Sequence, residues 1–399
     1  MVMCIITLSV MTGSCLAANF AVCAGGVSQD QYYEVQEVTG GGYIGSGGTI
    51  TYGAGNLDTF TALHDLDGFV VWAVVTGGSG QEISNTVQQS LDGGFLIGGS
   101  TYSYGAGDLD CLLIKLAADG SLSWAKTIGE SDAEDIESLI ATDDGGCIAV
   151  GTTYSFSYPL HDLLVMKFDA TGDLTWSRVY DTGGLDGGFS ISGTNDGGFI
   201  LAGQTNEIAG PTNLLFIRID SLGNLEWNTV VGGYTAERCG AVRQTADGGY
   251  ILAGETSSFG AGYNDSILVK LDASGDLQWA KVAGGISIDR SKSVIQTGDN
   301  GYLVVGTSHS FGPDQTSGML LKYDNMGSLT WSRYLGGDSG DSFYSVSEAA
   351  DGGYIVGGKT GSFGSGSYDG CIYHTDSSGN VEDCTSIGAI SPETDDITG

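Results

Sequence analysis

The sequence predicts an all-β chain, a seven-bladed β-propeller of four-stranded antiparallel blades. Three observations predict it. A DGGYILAG-like phrase occurs seven times, as GGGYIGSG at 40, DGGFLIGG at 92, DGGCIAVG at 144, DGGFILAG at 196, DGGYILAG at 247, DNGYLVVG at 299 and DGGYIVGG at 351, with spacings of 52, 52, 52, 51, 52 and 52 residues. All six tryptophans, Trp72, Trp124, Trp176, Trp227, Trp279 and Trp331, keep that period. No segment between them shows the 3.6-residue spacing of an amphipathic helix.

The fifth unit shows how one period divides. CGAVRQT reads as a first strand, closed by the turn Ala246-Asp-Gly-Gly249, and YILAGET as a second. A loop SSFGAGYND leads to a third strand, SILVKLD. The tight turn Asp272-Ala-Ser-Gly275 then leads to a fourth, DLQWAKV. Glycine supplies the positive φ that such hairpin turns demand. Four short strands per period are the composition of a propeller blade, and closure of seven blades into a ring removes exposed sheet edges. The residues Val35, Val87, Leu139, Ile191, Val242, Val294 and Val346 mark the first strand as apolar. Small neighbours precede most of them (Thr86, Ser138, Ser190, Ala241, Ser293 and Ser345, against Glu34). That pattern places the first strand innermost, where the sheets crowd, and the tryptophan strand outermost.

The unit resembles the DGGYILAG-type propeller repeats of secreted bacterial and archaeal proteins. Its LDxxGxLxW hairpin is similar to the Trp-docking hairpin of quinoprotein propellers. The resemblance spans about residues 30–393 and implies the fold. It does not imply a quinone site, because a set of charged cofactor ligands is not visible, and no cofactor is expected. Propellers are scaffolds with many uses.

Composition narrows the function. The chain of 399 residues carries 48 acidic and 14 basic side chains, a net charge of −34, and the first 114 residues contain no Lys or Arg. Nucleic-acid binding needs clustered basic residues and is excluded as an expectation, as is docking on an anionic membrane surface. The 68 glycines, 19 tyrosines, 13 phenylalanines and 6 tryptophans belong to a packed fold rather than an acidic tail. No GxSxG, HExxH, CxxC or phosphate-cradling GxxxxGK[ST] motif occurs, and the four histidines are scattered. The chain is therefore expected not to be an enzyme, although its many carboxylates could hide a glycan hydrolase or lyase pair.

Asp58, Asp110, Asp162, Asp265 and Asp369 recur at the start of the third strand, with Asn213 and Ser317 in the other two units. They are the candidate Ca²⁺ ligands, since Ca²⁺ takes clustered carboxylate and carbonyl oxygens. A side chain copied into nearly every unit also fits an Asx turn that holds loop N–H groups, and that reading is preferred. Loops led by Tyr52, Tyr104, Phe156, Ile208, Phe259, Phe311 and Phe363 are expected to pack between blades, with carbohydrate stacking as the alternative.

The first unit breaks the pattern most. Its outer strand is FVVWAVV, with Val74 where others carry Lys126, Arg178, Lys281 or Arg333. Leu63 stands where others carry Lys115, Lys167, Arg218, Lys270 or Lys322. An apolar outer strand is an aggregation hazard unless covered. Residues 1–29 lack charge until Asp30 and read as a signal peptide without its basic start, as a weak membrane anchor, or as a Val/Ile/Thr-rich docking strand. The domain reading is thus an apolar N-terminal segment 1–29, a propeller 30–393 and a tail 394–399. Docking of that segment on a propeller, its own or a neighbour's, makes Val2, Ile5, Ile6, Leu8, Val10, Leu63, Phe69, Val71 and Val74 the expected assembly interface.

Of the eight cysteines, Cys371 and Cys384 flank the turn Asp376-Ser-Ser-Gly379 symmetrically and are expected to form a disulfide. Cys4, Cys15 and Cys23 could bridge to one another or between subunits, and Cys111, Cys147 and Cys239 read as buried thiols. Disulfides, a single Asn264-Asp-Ser266 sequon and an acidic surface suit an extracellular or cell-surface location. The expected function is structural: a secreted, self-assembling repeat protein that forms a filament or other homopolymer, without a membrane span in the mature chain. The alternative is a secreted or surface-anchored binding module for carbohydrate or protein.

Overall fold

In the computed structural model, residues 2–5, 19–155, 161–206, 210–313, 316–381, 386–389 and 393–397 are described, the first and the last two of these segments as backbone only. Two short strands come first, β1 (Val2–Ile5) and β2 (Ala21–Ala24). Blade one follows as β3 (Asp30–Glu37), β4 (Tyr43–Thr49), β5 (Asp58–His64) and β6 (Val70–Gly77). Blade two is β7 (Glu82–Gln89), β8 (Phe95–Thr101), β9 (Asp110–Leu116) and β10 (Leu122–Ile128). Blade three is β11 (Ser138–Ala141), β12 (Cys147–Thr153), β13 (Asp162–Phe168) and β14 (Leu174–Tyr180). Blade four is β15 (Leu185–Gly193), β16 (Phe199–Asn206), β17 (Thr212–Ile219) and β18 (Leu225–Val231). Blade five is β19 (Glu237–Gln244), β20 (Tyr250–Thr256), β21 (Asp265–Leu271) and β22 (Leu277–Gly284). Blade six is β23 (Asp289–Gln296), β24 (Tyr302–Ser308), β25 (Ser317–Tyr323) and β26 (Leu329–Gly336). The last blade is β27 (Asp341–Glu348), β28 (Tyr354–Thr360) and β29 (Asp369–Thr375), with β30 (Ser386–Ala389) and β31 (Glu393–Ile397) after it.

In blades one to six the four blade strands form an antiparallel meander, with the first strand at one edge and the tryptophan strand toward the other. The architecture is the expected seven-bladed β-propeller, and the described residues contain no helix. Hence no helix is long and apolar enough to cross a membrane. Contacts divide the chain into two compact units. One holds blades one and two with most of three and seven; the other holds blades four to six with the two C-terminal strands.

Within each unit the core lies between consecutive blades. Val38, Ile44 and Val74 of blade one pack with Val87, Phe95, Ile97, Leu112 and Ile114 of blade two. Ile200, Leu214 and Phe216 of blade four pack likewise with Val242, Leu252, Ile267 and Val269 of blade five. Second strands are buried over most or all of their length, fully so in β8, β20 and β24, because both their faces meet a neighbouring sheet.

The tryptophans lock successive blades. A Cβ added to Gly120, at φ +82°, would meet the Trp72 ring at 2.7 Å, and one added to Gly275, at φ +86°, would meet Trp227 at 2.8 Å. The rings of Trp72, Trp124, Trp227 and Trp279 thus lie on the turn glycine of the next blade, where any side chain would collide. Trp72 Nε1 also donates to the Ala118 carbonyl at 3.1 Å. The loop aromatics pack between blades as expected: Tyr104 lies against Gly78, Phe259 against Gly233 and Phe311 against Gly285. Phe156 and Ile208 fall outside the described residues.

Two boundaries differ from the sequence reading. The outer strand of blade seven is β2, in the order β2-β29-β28-β27, so the propeller begins ahead of residue 30. The position that faces Cys371 across that edge belongs to Cys23. Cys384, the expected partner, lies outside the described residues. Residues 386–397 are not simply the end of blade seven and a tail, because β30 pairs with β26 and β31 with β22.

Candidate functional site

Two features stand out from the repeat: a layer of buried carboxylates at the blade corners, and terminal strands added to blade edges.

The carboxylate layer has one member in every blade and a second in five of the seven. Asp30, Glu82, Glu134, Asp186, Glu237, Asp289 and Asp341 stand at or beside the start of the first strands and are all buried. Each accepts the N–H of the residue four before it: Gly26 to Asp30 at 2.7 Å, Gly78 to Glu82 at 2.6 Å, Gly285 to Asp289 at 2.8 Å and Gly337 to Asp341 at 3.0 Å. A second oxygen takes a hydroxyl from the end of the second strand, as Thr101 Oγ1 gives to Glu82 at 2.8 Å and Thr256 Oγ1 to Glu237 at 3.1 Å. These acids fasten the corner between one blade and the next. The sequence reading missed them as a set, although their spacing repeats the 52-residue period.

The expected Ca²⁺ candidates form the other member. Asp58 Oδ2 accepts from the Gly55 N–H at 3.1 Å, Asp265 Oδ2 from Gly262 at 3.0 Å, and Asp369 Oδ2 from Gly366 and Ser365 at 3.1 and 2.9 Å. Asp110 holds Ala106 and Gly107. This is the loop-fastening geometry of an Asx turn. Burial raises the Asp58 and Asp369 carboxyls; their backbone bonds oppose this, and the nearby Glu82 and Asp30 charges add to it.

A glycine separates the two acids at most corners, because the carboxylate occupies the space of its missing side chain. A Cβ on Gly77 would fall on Asp58 Oδ1, and one on Gly129 on Asp110 Oδ1. The period places glycine at 25, 77, 129, 232, 284 and 336, but Asp181 at the seventh position. There Asp162, Asp181 and Asp186 each present an oxygen within 4.8 Å of the others, the group among the described residues that could hold a cation. Asp186 is engaged by the Thr182 N–H and hydroxyl, and Asp181 by the Gly183 N–H at 2.6 Å. Of the five sequence candidates, the structure brings only Asp162 into this group.

The basic positions of the third strand have a structural role. Lys115 bonds Asp92 at 2.7 Å, Lys167 bonds Asp144 at 2.6 Å, Arg218 bonds Asp196 and Lys322 bonds Asp299, each joining the third strand to its DGG turn. The Lys115 and Ser90 bonds hold the Asp92 carboxyl down at about 2, and Asp299 reaches about 2 because bonds from Lys322, Thr297 and Gly301 outweigh its burial. In blade seven His374 stands in for the lysine, at 3.2 Å from Asp351. Blade one lacks both members, having Gly40 and Leu63, so Leu63 is free to pack with Val38, Ile44 and Val87 between blades one and two.

The expected assembly interface divides accordingly. β1 adds a fifth strand to blade one, in the register Val2↔Gly77, Met3↔Thr76, Cys4↔Val75 and Ile5↔Val74. Val74 and Val75 are buried beside it. Val71 is passed over at a bulge, because Leu63 pairs with Trp72 and His64 with Val70. It stays 59% exposed, next to exposed Phe69 and Leu66. Ile6, Leu8 and Val10 fall outside the described residues. β30 and β31 dock on the same stretch of their blades, just beyond the tryptophan, at Arg333–Gly336 and Ala280–Gly284. The outer strands of blades two, three and four carry no fifth strand among the described residues.

Fold and site together define a β-propeller whose blade edges accept added strands. No protein-family model matches the sequence, and no curated protein matches it. Among solved structures it is similar to the Pan2 WD40 domain of Neurospora crassa, with 11% identity, 73% of this chain and 89% of that one covered and a TM-score of 0.43. Sqt1 from Chaetomium thermophilum gives 11% identity, coverage of 88% and 97%, and a TM-score of 0.45. A protein of unknown function from Dyadobacter fermentans gives 12%, 76% and 98%, and 0.49.

Proposed function

We propose that this protein is a non-enzymatic, extracellular structural subunit that assembles through its N-terminal strand into a filament or other homopolymer. The observation that carries the reading is the pairing of β1 with β6. It is a short antiparallel contact, four residues long, between a terminal strand and an apolar blade edge. Such a contact transfers between molecules without a change of register, since the same strand can add to the same edge of a neighbour. A head-to-tail exchange of this kind uses two different surfaces, and when its rotation does not close it propagates as a fibre. The bulge at Val71 blunts one half of the edge. The other half, Val74–Gly77, is straight and receives the strand.

The test is removal of residues 1–18, which keeps β2 and therefore a complete blade seven. Full-length protein should form fibres or beaded chains in negative-stain electron microscopy, and the shortened chain should remain a folded monomer in light scattering. Full-length protein that stays monomeric, or a shortened chain that still forms fibres, would overturn the proposal.

A further inference from the structure

We infer that Cys23 and Cys371 form a disulfide that fastens the N-terminal strand to the C-terminal blade. The two residues are direct partners in the β2–β29 ladder. Phe20 and His374, three residues further along the same ladder, exchange both backbone bonds, at 3.0 and 2.7 Å. Antiparallel pairs alternate between bonded and non-bonded. Phe20 with His374 is bonded, so Ala21 with Tyr373 is not, Val22 with Ile372 is, and Cys23 with Cys371 is not. Non-bonded pairs bring Cα atoms to about 4.5 Å, with side chains on one face of the sheet and close together. That separation lies within the range of about 4.4–6.8 Å that a disulfide spans without backbone movement.

The neighbours leave room. On its other side Cys371 faces Gly358 of β28, which has no side chain on that face. Cys23 is half-buried on the outermost strand of the blade, whereas Cys371 is buried. Their accessibility sets the order of reaction with a disulfide-form oxidant, R–S–S–R. The Cys23 thiolate attacks and expels one R–S⁻. The Cys371 thiolate then attacks the Cys23 sulfur of the mixed disulfide and expels the second. One S–S bond forms and one breaks, the two cysteines are oxidised, the oxidant is reduced to two thiols, and the two cysteine protons end on them. This inference does not depend on assembly, because both cysteines belong to one chain.

The test treats full-length protein with oxidised glutathione, quenches it with N-ethylmaleimide and maps peptides after non-reducing digestion. The expected result is a linked Cys23–Cys371 peptide, with N-ethylmaleimide labelling of both residues reduced to background. A reductant should lower the melting temperature of the oxidised protein and leave that of the Cys23→Ser variant unchanged. Full labelling of both cysteines, or linkage of Cys371 to Cys384 or of Cys23 to Cys4 or Cys15, would overturn the inference.

Discussion

Lowering the pH from 7 to 5 should weaken blade one through a single histidine. His64 is 1% exposed. Its Nε2 lies 3.0 Å from Tyr32 Oη and its Nδ1 2.9 Å from the Gly68 carbonyl. A neutral imidazole satisfies both contacts, with Nδ1–H donating to Gly68 and Nε2 accepting from the tyrosine. A second proton on the imidazole would turn Nε2 into a donor and place a charge in an apolar cluster. Burial therefore lowers its pKa from 6.5 to about 4, with the Gly68 bond and the Asp65 charge opposing in part. Because the folded value lies below the unfolded one, the unfolded chain takes up the proton first. The stabilisation is present above pH 6.5 and is lost as the pH falls toward 4. The whole shift corresponds to about 3 kcal/mol at ~1.4 kcal/mol per unit, of which about 2 kcal/mol is lost by pH 5. The assay is urea unfolding followed by tryptophan emission at both pH values, on the wild type and on His64→Gln. The variant should show a pH slope smaller by about 2 kcal/mol across this interval. A variant with the wild-type slope would refute the reasoning.

Two further perturbations test the turn chemistry. Gly275→Ala forces a Cβ onto the Trp227 ring from a backbone at φ +86°, so it should cost about 1–3 kcal/mol and shift tryptophan emission. Its check is the melting temperature together with the emission maximum. Asp299→Ala leaves the ammonium of buried Lys322 without its carboxylate. Breaking a buried pair costs ~3–5 kcal/mol, and the expected loss is about 2 kcal/mol because the Asp299 side chain is 65% exposed. Lys322→Met should cost less than half of that, measured by the same unfolding assay.

Much of this fold was legible because the period repeats in phase. The DGG turns, the tryptophan strand and the innermost first strand follow from residue types at fixed offsets. The lysine-to-aspartate bonds were not read from the sequence, although blade one loses both members together, Gly40 for the acid and Leu63 for the base. The outer strand of blade seven was harder to read, because Phe20 replaces the tryptophan and about 350 residues separate the strand from its partners. Its pattern is nevertheless present: Phe20-Ala-Val-Cys-Ala-Gly25 lies 52 residues before Trp72-Ala-Val-Val-Thr-Gly77. Phe20 packs edge-on against Tyr43 at 5.7 Å, as Trp72 does against Phe95. The site was less legible. Asp181 is an ordinary acid in an acidic chain until it is aligned with six glycines, and the corner acids do not break the repeat because every blade has one.

The origin of blade seven's outer strand has a consequence in time. β2 leaves the ribosome about 350 residues ahead of β29. At ~5–20 residues per second, the early strand waits roughly 20–70 seconds for its partner. During that interval the middle blades can fold, each on local hairpins, while β2 remains unpaired. A strand made early thus belongs to the last blade completed.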